Sequence, residues 1–185
     1  PRFVTVKELL HSGRIGQLRT VSVRNERPAP VGEADNEGWR VDPEISGGGH
    51  FVDLGSHILD LLDWLVGPVT RATGVASNRG GRYRAEDLVT GAFSFRSGVE
   101  GVGVWNYDSF QDKDQVEIIG TAGALRFSCF ADEPLRLLTA DGVEPIKAPY
   151  PETVQLPLIQ TVVNALTGHG ESPSNGHSAV RTARV

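Results

Sequence analysis

Apolar and polar positions change period several times along the chain, and each change predicts an element. Residues 4–12 place Val4, Val6, Leu9 and Leu10 on one side and stop at Gly13, which predicts a short helix. Residues 16–25 alternate at period two around the β-branched Val21 and Val23, which predicts a strand, although Leu18 falls out of phase with Thr20. Residues 28–38 form a polar loop of Pro, Gly, Asp and Asn, of a length that often serves function. Residues 48–66 carry the strongest helical pattern. Phe51, Leu54, Ile58, Leu61, Leu62 and Leu65 share one side of the helical wheel, glycines open the segment, and Gly67-Pro68 closes it.

Strand-like runs follow at residues 69–77, 87–96, 99–107, 114–120 and 124–130, with glycines in the turns between them. Residues 135–139 and 143–147 flank Asp141-Gly142, the turn pair of a hairpin. Residues 156–166 read as a helix with Pro157 in its first turn, 168–176 as a loop, and 178–185 as the start of another helix. Helix, strand, helix and then consecutive strands predict an α+β fold: an open, mostly antiparallel sheet with helices on one face, in one domain over residues 1–185. No Gly-x-Gly-x-x-Gly joins a strand to a helix. Gly47-Gly48-Gly49 has no apolar strand before it, and Gly101 and Gly103 lie inside a strand pattern, so a dinucleotide fingerprint is absent.

Composition narrows the function classes. The 185 residues suffice for one real core, and the net charge of -5 is scattered, which disfavours nucleic-acid binding. Of the 18 basic residues only Lys7, Lys113 and Lys147 are lysines, so candidates for a catalytic lysine are few. Cys129 is the single cysteine and reads as a buried strand residue. It leaves no intramolecular disulfide or Cys-based zinc site and points to a reducing, cytoplasmic compartment. No apolar run approaches the roughly 18 residues of a membrane span, and residues 1–4 lack the apolar region of a signal peptide. The absence of methionine argues against Pro1 as the natural start.

The chemistry concentrates in the segment from Trp39 to Asp60. On a straight α-helix His50, Asp53, His57, Asp60 and Trp64 fall within an arc of roughly 80°, away from the Leu/Ile stripe. Asp53 and His57 are spaced i, i+4, which allows a carboxylate–imidazole pair able to move a proton to or from a hydroxyl. Gly55 between them would let a ring or sugar approach the backbone, and Gly47-Gly48-Gly49 would leave amides open to an anion or hydroxyl. The same residues have a plainer reading, with Asp53 as a favourable charge near a helix start and His57 paired with it on a solvated face. A third reading makes His50, Asp53 and His57 metal ligands of a metal-dependent isomerase or lyase. Trp105 and Tyr107 share one strand face and read as core or interface packing, while His11, His169 and His177 read as surface or loop residues.

In order and spacing, Trp39-Arg40-Val41-Asp42, Gly47-Gly48-Gly49 and Asp53-Leu54-Gly55-Ser56-His57 resemble the C-terminal domain of the glucose–fructose oxidoreductase / inositol dehydrogenase / rhizopine-catabolism family, Gfo/Idh/MocA. Leu9-Leu10-His11-Ser12-Gly13-Arg14-Ile15-Gly16, residues 117–125 and residues 173–185 extend the resemblance over nearly the whole chain. The resemblance implies a substrate-binding half of an NAD(P)-dependent dehydrogenase acting on a sugar, inositol, other polyol or sugar derivative. It makes His57 the proton acceptor and Asp53 its partner, with Arg40 as a candidate substrate contact. Trp39, His50 (where the family usually has a small or apolar residue) and His177, which of the remaining histidines is best placed to approach the site, are further candidate contacts. It also implies that the exposed sheet face makes a dimer. The family's N-terminal Rossmann domain and its Glu-Lys-Pro segment have no counterpart in these residues, so no cofactor site is expected in this chain and the isolated chain is expected to be inert. The alternative is a non-catalytic sugar-binding or dimerisation module. For Arg40 the plain alternative is a salt bridge to Asp42 or Glu44.

Overall fold

The computed structural model describes residues 2–29 and 38–185. In chain order the strands are β1 (Leu18–Glu26), β2 (Val69–Ser77), β3 (Leu88–Phe95), β4 (Glu100–Asn106), β5 (Lys113–Gly120), β6 (Gly123–Phe127), β7 (Leu135–Thr139) and β8 (Gly142–Ile146). They form one sheet in the order β2-β3-β4-β1-β5-β6-β7-β8. Two antiparallel meanders, β2 to β4 and β5 to β8, flank β1 as the central strand. Only the β1–β4 pairing is parallel, because β1 is met by one meander from each side. The expected α+β class and mostly antiparallel sheet are therefore observed.

The out-of-phase Leu18 has a local cause: the β1–β5 register shifts between Leu18 and Thr20, so a bulge re-phases the strand. Beyond it, Val21 and Val23 face inward beside Val116 and Ile118.

The helices are α1 (Arg2–His11), α2 (Pro43–Ser46), α3 (Ser56–Val66), α4 (Leu156–Leu166) and α5 (Gly176–Thr182). Ile58, Leu62 and Leu65 of α3, with Val6 and Leu10 of α1, complete the core with the inward row of the sheet. On the other sheet face Val75 and Val102 remain 68% and 57% exposed. The side chain of Arg2 is buried and ties α1 to the far loops. It donates to the carbonyl oxygens of Ser128, Glu133 (2.7 Å) and Ala148 (3.0 Å), with its guanidinium over the Tyr150 ring.

Two expectations change. The segment 48–66 is not one α-helix: Phe51–Gly55 forms a π turn before α3 begins at Ser56. The last helix starts at Gly176 rather than at Ser178, because Asn175 and Ser178 close a capping box around its first turn, and it ends at Thr182. Helix α4 forms as expected, yet Leu156, Ile159, Val163 and Leu166 stay exposed. Most of the loop expected over 28–38 lies outside the described residues. Among the described residues no helix is long and apolar enough to cross a membrane.

Candidate functional site

The site is built where the chain enters α3, beside the ends of the parallel pair β1 and β4. Gly38–Val41 forms a 3-10 turn carrying Trp39 and Arg40. Asp42 caps α2 by accepting from the Glu44 amide at 3.1 Å, and Gly47 ends it at φ 82°, where a side chain would be strained. The chain then passes through Gly48 and Gly49 into the π turn.

The amides of the three glycines are not open to a ligand, contrary to expectation. Gly47 donates to the Pro43 carbonyl, Gly48 to Ser46 Oγ, and Gly49 to Glu86 Oε1 at 2.8 Å. A Cβ on Gly49 would stand 2.6 Å from the Glu86 carbonyl oxygen. The glycines therefore serve close packing against residues 85–86, and Glu86 takes the role expected of an anion. Gly55 is also turned inward. It is buried, and a Cβ there would lie 2.7 Å from the ring of Phe51, which fills the space expected for a substrate.

His50 leads into the π turn with its ring against Tyr107 (5.1 Å between centroids) and Tyr83 (5.9 Å). Tyr107 is buried and donates from its hydroxyl to Asn25 Oδ1 at 3.0 Å. Burial pushes its phenol well above the usual tyrosine range, against the opposing pull of Arg27. Asn25 and Glu86 escaped the sequence reading, which took Tyr107 as a packing residue, as its burial shows, and not as a neighbour of the site. The only trace of Tyr107 was its strand phase with Trp105, and the pairing of β1 with β4 is a long-range fact.

Asp53 pairs with Arg40, Nε to Oδ2 3.3 Å, and the Arg40 guanidinium lies over the Trp39 ring at 4.8 Å. Among the described residues no hydrogen bond or ion pair joins Asp53 to His57. The 3-10 turn delivers a permanent cation, and a carboxylate favours a guanidinium over a neutral imidazole. The salt bridges considered for Arg40 are made instead by Arg84, to Glu44 at 2.7 Å and to Asp42 at 3.9 Å. His57 stands exposed in the first turn of α3.

The five-residue arc expected from His50 to Trp64 is broken, because a π turn shifts the phase of what precedes it by about one residue step. Asp60 accepts from Ser174 Oγ (3.1 Å) and Thr182 Oγ1 (3.4 Å), and Asp63 holds Arg181 through two bonds of 3.0 and 2.6 Å. Together they dock α5 onto α3. Trp64 lies under the Lys7 ammonium, 4.1 Å from the ring centroid. His177 is exposed on α5, and its ring makes no hydrogen bond or ion pair among the described residues. Cys129 is buried, and burial lifts its thiol far above the usual cysteine range.

Among the described residues no three His, Cys, Asp or Glu side chains converge as metal ligands, so His50, Asp53 and His57 do not form a set. The described residues also contain no strand–glycine-loop–helix unit able to cradle a dinucleotide's phosphates.

Comparison with known proteins places this geometry. A model of the GFO/IDH/MocA C-terminal domain matches residues 3–126. Oxidoreductase P35 of Formosa agariphila is 29% identical over 187 residues, covering all of this chain and 57% of that protein. D-apiose dehydrogenase of Paraburkholderia graminis is 30% identical over 147 residues, 70% of this chain and 39% of its own length. The chain thus spans about half the length of these curated relatives. Among solved structures, levoglucosan dehydrogenase in complex with NADH and levoglucosan superposes with a TM-score of 0.79 at 19% identity, over 95% of this chain and 57% of its own.

Proposed function

The chain belongs to the GFO/IDH/MocA C-terminal domain family, and from that premise we propose that it is the substrate-binding half of an NAD(P)-dependent oxidoreductase acting on a sugar, polyol or sugar derivative. The observation that carries this reading is the exposed His57 imidazole in the first turn of α3, four residues after the Asp53 that Arg40 holds, with the His50 ring packed at a tilt against Tyr107 where the chain enters that helix. An exposed imidazole accepts a proton from a substrate hydroxyl. Asp53, oriented by Arg40, holds a neighbouring hydroxyl, and Trp39 offers an apolar face to a sugar ring. His50 and His177 are the further substrate contacts of this reading.

Hydride transfer belongs to a dinucleotide held outside these residues, by the Rossmann partner domain that the greater length of the relatives leaves room for. The residues of this chain bind, orient and move the proton. The isolated chain is accordingly inert, and a second copy of the protein covers its open sheet face.

The test is made on the longest natural polypeptide that carries this chain, assayed for NAD+ and NADP+ reduction against a panel of sugars and polyols. Sugar-dependent reduction that falls about 10²-fold in kcat on His57→Ala supports the reading. No reduction with any member of the panel, or unchanged turnover in the variant, removes it.

A further inference from the structure

The charges around the site are mostly cancelled in place. Arg40 faces Asp53, and Arg84 faces Glu44 and Asp42. Glu86 accepts the Gly49 amide. One cation stands apart. Arg27 follows the last residue of β1, and continuing the parallel register, in which Glu26 lies opposite Asn106, places it opposite Tyr107. Both of its backbone groups are held there by the end of β4 and the residues after it, the Arg27 amide donating to the Asn106 carbonyl at 2.8 Å and the Ser109 amide to the Arg27 carbonyl at 3.0 Å. The guanidinium rests over the Phe130 ring, 5.7 Å from its centroid, and is exposed. Among the described residues it has no carboxylate partner. Its charge also acts on Tyr107, whose ring packs against that of His50.

A held, uncompensated guanidinium one side chain away from a hydroxyl-binding site selects an anion, because its planar fork matches a carboxylate or a phosphate. Resting on the oxidoreductase reading above, we propose that the substrate is an anionic sugar and that Arg27 binds its carboxylate or phosphate group while the reacting hydroxyl lies at His57. Arg27 is on this account a specificity residue. It discriminates between substrates and takes no part in moving the proton.

The experiment is a titration of the isotopically labelled chain followed by NMR, reading the His57 and His50 ring signals and the Arg27 Nε–H signal. The probes are D-glucuronate, D-glucose 6-phosphate, D-glucose and sodium sulfate. Both anionic sugars, or one of them, should shift the Arg27 and His57 signals together and saturate at concentrations about tenfold or more below glucose. Which of the two binds more tightly identifies the anionic group. Arg27→Gln should bring them to the level of glucose and leave glucose itself unchanged. Equal saturation by glucose and the anions, or anion binding indifferent to Arg27→Gln, overturns the charge assignment and leaves the sugar site standing. Sulfate that shifts Arg27 as the sugars do, with His57 silent throughout, reduces Arg27 to an adventitious anion site. Silence of His57 and His50 with every sugar removes the site reading, and the proposal goes with it.

Discussion

The ring of Phe51 lies where a side chain on Gly55 would begin, with 2.7 Å between an added Cβ and the ring's Cδ2. That ring is itself held edge-on against Trp105 at 4.9 Å, so it has nowhere to retreat. Glycine-to-alanine inside an ordinary helix stabilises by up to about 1 kcal/mol. Here the sign reverses: Gly55→Ala should destabilise by about 1–3 kcal/mol through overpacking. Urea denaturation at unchanged m-value reads it, and a raised midpoint would mean that the π turn relaxes freely.

The Arg40–Asp53 pair makes a different prediction, because its side chains are 51% and 40% exposed. Solvent screening limits such a pair to about 1 kcal/mol or less of stability. Arg40→Gln should leave the urea midpoint nearly unmoved, yet raise KM in the full-length polypeptide by about tenfold through loss of an oriented Asp53. A large loss of stability with KM intact would make Arg40 a structural residue.

Arg2 lies at the opposite extreme of burial. Removing its guanidinium strands the carbonyls of Ser128, Glu133 and Ala148 without donors. Arg2→Met should cost about 2–4 kcal/mol, and Arg2→Lys should recover only part of it, since one ammonium does not reproduce the planar fork. Full recovery by lysine would show that charge, rather than the geometry of the donors, holds α1 in place.

Stability should also fall on the alkaline side. Burial lifts the Tyr150 phenol from 10.0 to about 12, and lifts Tyr107 and Cys129 still further. A group whose folded pKa is raised keeps its proton in the folded state while the unfolded chain releases it. The unfolded state is therefore favoured as pH rises: the cysteine acts from about pH 9, the tyrosines from about pH 10, and Tyr150 is spent by about 12. Urea midpoints measured from pH 8 to 11 should decline, and Tyr107→Phe should flatten the decline. A flat profile in the parent chain would contradict the burial of these groups.

What could be read from the sequence follows from range. The strands, the Asp141-Gly142 hairpin and the helix that becomes α1 rest on local periodicity and turn chemistry, and they appear within a few residues of their expected bounds. The entrance to α3 did not, because a π turn needs a ring from Phe51 folded over Gly55 and a wall made by Trp105, three strands later in the chain. Spacing offered His57 as a partner for Asp53, but a residue thirteen positions earlier supplies it. Tyr107, Asn25 and Arg27 meet only because β1 lies beside β4, a pairing across some eighty residues that no window of sequence contains, and Glu86 reaches Gly49 from just before β3. Residue identities pointed to the neighbourhood, and the sheet order decided which of them share it.

The same sheet order leaves one face without a helix, and the last prediction concerns it. Thr73 and Val75 of β2, Thr90 and Ala92 of β3, and Val102 and Val104 of β4 form adjacent outward rows of small and β-branched side chains, and shallow grooves run between them. Val102 lies near the middle of this patch at 57% exposure. Flat apolar strands left open favour association with a partner of the same shape, and a two-fold pairing would close both copies at once. Sedimentation equilibrium should therefore show a dimer, and Val102→Arg should yield monomers with an unchanged circular dichroism spectrum, because the side chain points away from the core. A parent chain that is monomeric at 100 µM, or a Val102→Arg variant that remains dimeric, would move the interface elsewhere. In that event the exposed Leu156, Ile159, Val163 and Leu166 of α4 become the next surface to substitute.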